Sequence, residues 1–208
     1  MPHPGDRRLR RWLLIASVSL CLLVATAAVV GLAGGFDPVP PPEPPMVAVD
    51  ERNEGEPWTV TVDGAVLAGN LEPAVLQEDG YWLAVIAEVE ITDVESRRDA
   101  YEILCVRDVV GLARQHDEPS EGCPGAVEAD DIRLVRDGSA VTTLHPGLPE
   151  RVAYLWELAA DAEPPAEVRV EIVGETYRED SLTGRMEWLD PAPRAQLLVP
   201  VEDRREEG

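Results

Sequence analysis

Residues 12–36 read WLLIASVSLCLLVATAAVVGLAGGF, a run of 25 residues without a charged side chain. No other stretch limits so strongly what the chain can become. As a helix rising about 1.5 Å per residue the run covers about 37 Å, enough for a hydrocarbon core of about 30 Å with some tilt. The expectation is a single N-terminal transmembrane helix over residues 12–36, carrying one body polar enough to fold in water.

The flanks give the direction. Arg7, Arg8, Arg10 and Arg11 stand before the run, within a basic flank of residues 1–11, and Asp37 and Glu43 come after it. The positive-inside rule keeps such an N-terminus in the cytoplasm and exports the chain beyond the helix. The expected location is therefore the cell membrane, crossed once, with the C-terminal domain extracellular. The 11 residues left inside are too few for a cytoplasmic output domain. A cleaved signal peptide is the competing reading, with Ala25-Thr26-Ala27 as the cleavage site. The apolar run continues from Ala28 to Gly35, which favours retention. Lipid attachment at Cys21 is disfavoured, because Leu20 stands where a small residue is needed.

Charge narrows the function classes. The net charge is −22, and from Asp37 onward 14 arginines face 39 acidic residues. Nucleic-acid binding by phosphate neutralisation needs a basic face, so this balance excludes it. Anionic lipid should also repel the exported part. Solubility beside a negative surface accounts for the acids, and a basic partner or weakly held divalent cations is the sharper alternative.

Residues 37–57 read as a proline-rich, acidic stalk. Six of the nine residues in 37–45 are proline, which favours extended polyproline II of about 3.1 Å per residue. A ligand for a proline-binding groove is the alternative. Residues 58–201 then carry the soluble domain, and residues 202–208 read as a charged, frayed tail.

Within the domain, Trp58, Val60 and Val62 share one face of a strand, and Asp63-Gly64 reads as a turn into a second strand over 65–68. In residues 81–92, Tyr81, Leu83, Val85, Ala87, Val89 and Ile91 share one face. The other face is apolar at Trp82, Ala84 and Ile86, then polar at Glu88, Glu90 and Thr92. Further strands are expected at 101–106, 133–136, 140–144, 151–158, 167–173, 185–189 and 194–201, with Asp137-Gly138 as the best hairpin turn. Short strands at regular spacing, without a long amphipathic helix, predict an all-β, antiparallel β-sandwich.

Cys105 and Cys123 are the only cysteines of the exported part. An even count outside the cytoplasm points to a disulfide, and no CxxC spacing or nearby His pair supports a metal instead. Glu88 and Glu90 are candidate paired carboxylates, though on an exposed strand face they are plain solvated residues. Glu128, Asp130 and Asp131 are candidate Ca²⁺ ligands, but adjacent acids are common at this composition. His116 and His145 stand alone in expected loops, and Ser120, Ser139 and Ser181 are the serines a hydrolytic site would draw on. No HExxH, GxSxG or glycine-rich phosphate loop occurs. No catalytic residue, cofactor or metal site is therefore assigned.

The order of anchor, proline-rich spacer and sandwich, the strand YWLAVIAEVEIT at 81–92, and LHPGLPERVAYLWEL at 144–158 carry a resemblance. Over residues 58–173 the domain resembles the telokin-like, immunoglobulin-like extracytoplasmic domains of small membrane-anchored proteins of Gram-positive, actinobacterial-type bacteria. Asp93 stands where many of those proteins have Asn after the long strand. The resemblance implies an immunoglobulin-like sandwich at the cell surface and brings no catalytic residues. The expected function is binding: a protein-interaction or accessory module of the cell envelope, with an envelope protein as partner. A small-ligand or cation-binding surface domain is the alternative. A hydrolase of envelope polymer would need His116 or His145 beside a serine or carboxylate.

Overall fold

The computed structural model describes residues 4–32, 43–76, 80–98, 100–113, 122–123 and 125–207. They fall into two compact units, Met1–Glu43 and Pro44–Gly208. In the first unit the described residues form α1 (Pro4–Leu32). Its described side chains, residues 17–30 and 32, are exposed, Leu20, Leu22 and Leu23 among them. Among the described residues no helix is long and apolar enough to cross a membrane. The side chains of 12–16 and 31, and all of residues 33–36 in the uncharged run, lie outside the described part. So do residues 37–42 of the expected stalk.

The second unit is built from strands β1 (Arg52–Gly55), β2 (Trp58–Ala68), β3 (Gly80–Ile91), β4 (Leu104–Arg107), β5 (Val127–Glu128), β6 (Asp131–Leu134), β7 (Glu150–Ala159), β8 (Glu167–Glu179) and β9 (Met186–Asp203). One sheet runs β1-β2-β3-β7-β6 and the other β5-β4-β8-β9. All but one of the pairings between these strands are antiparallel. The exception is the end of β9, which leaves β8 after Pro200 and pairs parallel with β2, Ala65 opposite Val201. That strand passes from one sheet to the other and ties them along one side.

Alternation explains which face of each strand is buried. Val60, Val62, Leu83, Val85, Val89, Val152, Tyr154 and Trp156 of the first sheet meet Leu104, Val106, Val168, Val170, Ile172, Leu197 and Val199 of the second in one core. Each large side chain buried there contributes about 1.5–3 kcal/mol. The expected antiparallel β-sandwich is thus the architecture seen, with the parallel β2–β9 pairing added.

Three local readings are corrected. Asp63-Gly64 is a bulge within one continuous strand: β2 pairs with β3 on both sides of it, with the register shifting between Val62 and Gly64. The inserted residue resets the alternation, so Ala65 and Leu67 face the core as Trp58 and Val60 do. The segment 46–57 is part of the folded body. Its strand β1 pairs with β2, and Val47 N–H donates to Gln196 O at 2.9 Å. The tail is held too: Arg204 N–H donates to Leu67 O at 2.9 Å, and the Arg205 guanidinium lies 4.6 Å over the Tyr81 ring.

The outer face of the first sheet is not left to water at its apolar end. Trp82, Ala84 and Leu155 form a second cluster there, covered by Leu71, Ala74 and Leu76 of the segment after β2. Gly174 in β8 allows the turn between β1 and β2 to lie against it, since a Cβ there would meet Gly55 O at 2.6 Å.

Candidate functional site

Beyond Glu175, β8 and β9 leave the body as a two-stranded arm. Residues 176–186 are exposed apart from the half-buried Asp180. An isolated hairpin is marginal in water, so the arm needs its own supports. Tyr177 and Trp188 are cross-strand partners with ring centroids 5.1 Å apart. Trp188 Nε1–H donates to the Asp93 carboxylate at 2.9 Å, pinning the arm to the loop after β3. Arg178 pairs with Asp190 through two hydrogen bonds, one of 2.8 Å from Nη2. Each group raises or lowers the other: Arg178 is pushed up, and Asp190 is held below the usual carboxylate range by that bond.

The tip is locked by one side chain. The Asp180 carboxylate accepts from Leu182 N–H at 2.9 Å and from Thr183 Oγ1–H at 2.7 Å. The backbone closes around it, Asp180 N–H to Arg185 O and Gly184 N–H to Asp180 O, each at 2.8 Å. Gly184 takes φ +69°, a left-handed value that glycine adopts without steric cost. These donors hold the Asp180 carboxyl below its ordinary value, the Leu182 N–H first.

A polar groove of about 750 Å³ lies at the arm's base, lined by Arg52, Glu54, Trp58, Thr92, Glu175 and Arg194 among others. One of its lining residues, Glu175, is held in an ion pair. Arg97 Nη2 donates to both Glu175 oxygens, at 2.7 and 2.6 Å, and the guanidinium lies 5.3 Å over the Trp58 ring. Trp58 Nε1–H in turn donates to Val173 O at 2.7 Å. Arg194 Nη2 donates to Thr176 at 2.7 Å, so the groove wall and the arm share a hydrogen bond.

The residues singled out from the sequence lie elsewhere. Cys105 and Cys123 form a disulfide, both fully buried, with Cα atoms 6.0 Å apart. It ties β4 to the segment before β5. Glu90 pairs with Arg52 at 2.9 Å, while Glu88 is exposed on the outer sheet face. Asp130 accepts from Glu157 N–H at 2.8 Å, and Asp131 accepts from Ile132 N–H and Arg133. Among the described residues no three His, Cys, Asp or Glu side chains group to hold a metal ion. His116 and Ser120 lie outside the described residues. His145 Nδ1 is 2.9 Å from Ser96 Oγ, both exposed. Ser139 Oγ donates to Asp137 at 2.6 Å, and Ser181 is exposed at the arm tip. Burial pushes the Tyr154 phenol far up, which fits a core residue stacked with Trp156 rather than a proton donor or acceptor at neutral pH.

The arm is an element that the strand pattern alone does not show, since that pattern ends one strand at Val173 and starts another at Arg185. A signal is present as Thr176-Tyr177 and Trp188-Leu189 either side of a Leu-Thr-Gly turn. Pro191 and Pro193 mask it, because prolines argue against a central strand. In the structure they fall where the β8–β9 register shifts, between Ile172 and Thr176.

No known family model matches the chain, and no curated protein matches its sequence. A solved structure, an uncharacterized β-sandwich protein from Clostridium difficile 630, is similar at 10% identity over 78% of this chain and 99% of that one. Its TM-score is 0.44. The β-sandwich assigned here rests on the chain's own strand pairing.

Proposed function

We propose that this chain is a single-pass, membrane-anchored protein whose immunoglobulin-like sandwich stands outside the cell. There it works as an interaction or accessory module of the envelope. The anchor reading is supported by the 25-residue uncharged run behind four arginines, and by the helix α1 that includes most of it. Export is supported by the buried disulfide, a bond that persists in oxidising compartments. The immunoglobulin-like reading is supported by two facing sheets and a buried tryptophan in the core, Trp156.

One observation carries the binding role. The domain maintains a braced, solvent-exposed arm that adds little to its core, and exposed apolar side chains held in a fixed shape mark interaction sites. Native electrophoresis of the full-length protein, extracted from its own membranes in mild detergent, tests the proposal. The expected result is a complex holding a second polypeptide in fixed ratio. Migration as a single chain in its micelle would sink it. A reporter enzyme fused at Gly208 checks the compartment, and activity confined to the cytosol removes the anchor and export readings together.

A further inference from the structure

We infer that the tip of the β8–β9 arm is a docking finger for a partner protein, one whose receiving surface is an apolar slot rimmed by basic residues. This inference rests on the interaction-module reading above.

The arm has two chemically different faces. Register places Tyr177 opposite Trp188 and Glu179 opposite Met186, so these four side chains share one face. Tyr177 and Met186 are diagonal neighbours there, each 52% exposed, and Leu182 at the tip is 93% exposed. The result is a short apolar strip, Tyr177 to Met186, with Glu179 beside it on the same face, and beyond it at the tip a leucine that stands in solvent. The other face carries Arg178 paired with Asp190, and Glu187 opposite Arg178.

The tip is also held in shape before anything binds. The Asp180 carboxylate, two backbone bonds and the Arg178–Asp190 pair fix the turn that presents Leu182. Ordering a loop on binding is a principal cost of association, and a locked tip has already met it. A short rigid element with an aliphatic point and an aromatic neighbour is what fills a partner's pocket at an interface centre.

Charge selects the class of partner. Residues 176–190 carry Glu179, Asp180, Glu187 and Asp190 against Arg178 and Arg185, within an exported part of 39 acids and 14 arginines. A second copy of this chain would bring the same acidic surface to the contact and be repelled. An anionic bilayer is disfavoured for the same reason. A protein slot with Arg or Lys at its rim meets the strip with its apolar floor and the acids with its edge.

The test uses the full-length protein in mild-detergent extracts of its own membranes, with complex size read by native electrophoresis. Leu182→Asp and Met186→Asp are compared with wild type, with Leu182→Met, and with Val110→Asp. Val110 is 84% exposed and lies away from the arm, next to the groove at Arg107 and Pro164. The expected result is a drop of about tenfold or more in the complexed fraction for L182D, a clear drop for M186D, and no change for L182M or V110D. Thermal melting should give the same midpoint for all five proteins. Raising salt from about 0.05 M to about 0.5 M should weaken the wild-type complex. If L182D forms the complex as well as wild type, the finger is refuted while the module reading stands. An equal loss in V110D refutes it too, as does a complex made only of copies of this chain. Absence of any wild-type complex overturns both proposals.

Discussion

Replacing Arg97 with Met removes the cation that pairs with Glu175 and leaves an apolar stem in its place. The Glu175 carboxylate, 8% exposed, then loses both hydrogen bonds from Arg97 Nη2. Breaking a buried pair in this way costs about 3–5 kcal/mol, because the remaining carboxylate loses its hydrogen-bonded counter-charge. The pair borders a polar groove and the Arg97 side chain is 14% exposed, which puts the cost at the lower end, about 3 kcal/mol. Loss of the cation–π contact with Trp58 accounts for about 0.5–1 kcal/mol of that figure. For a domain of this size the midpoint of melting should fall by about 6–12 °C. Urea titration of the unit Pro44–Gly208, followed by tryptophan fluorescence, measures the loss at unchanged slope. The companion variant R97M/E175M removes both charges of the pair, and should recover to within about 1 kcal/mol of wild type. A cost below about 1 kcal/mol for R97M, or a double variant as unstable as R97M, would refute the reasoning.

Two more outcomes depend on single groups. Cys105 and Cys123 are 18 positions apart, so C105A/C123A should lose about 3 kcal/mol, seen as an earlier melt that reductant no longer shifts. An unchanged midpoint would show that the bond does not constrain the unfolded chain. Asp180 has a folded pKa held below its unfolded one, because its carboxylate accepts the Leu182 and Thr183 donors. Its contribution is therefore complete above the unfolded value, about 3.9, and disappears as pH falls through the lower folded value. The Leu182 amide shift in an NMR titration should move with a midpoint below about 3.9, and a midpoint at or above it rejects the tip geometry.

Much of the fold is legible in the sequence because alternation is a local property. The inward faces of the strands at 58–62, 81–92 and 151–158 depend on which residues are apolar, whatever each strand pairs with. Asp137-Gly138 is likewise a turn on its own chemistry, with Gly138 N–H donating to Leu134 O at 2.8 Å. The disulfide comes from a count of two and a compartment. Misreadings arise where a local signal has two tertiary outcomes. Asp-Gly turns the chain at 137–138 but only kinks a strand at 63–64, and the neighbouring strand β3, running past without a break, decides which.

The residues in order are enough to establish an uncharged N-terminal run, an acidic remainder, a set of short half-buried strands and one cystine. They are not enough to establish that β9 bridges two sheets, that Arg97 meets Glu175 across 78 positions, or that β8 and β9 pair beyond the body into an arm; the folded arrangement decides these. The reason is physical. A strand's buried face is set by solvent and a period of two, both readable within a few residues. Its partner, and any ion pair it brings together, depends on chain closure over tens of residues, for which the local pattern holds no term.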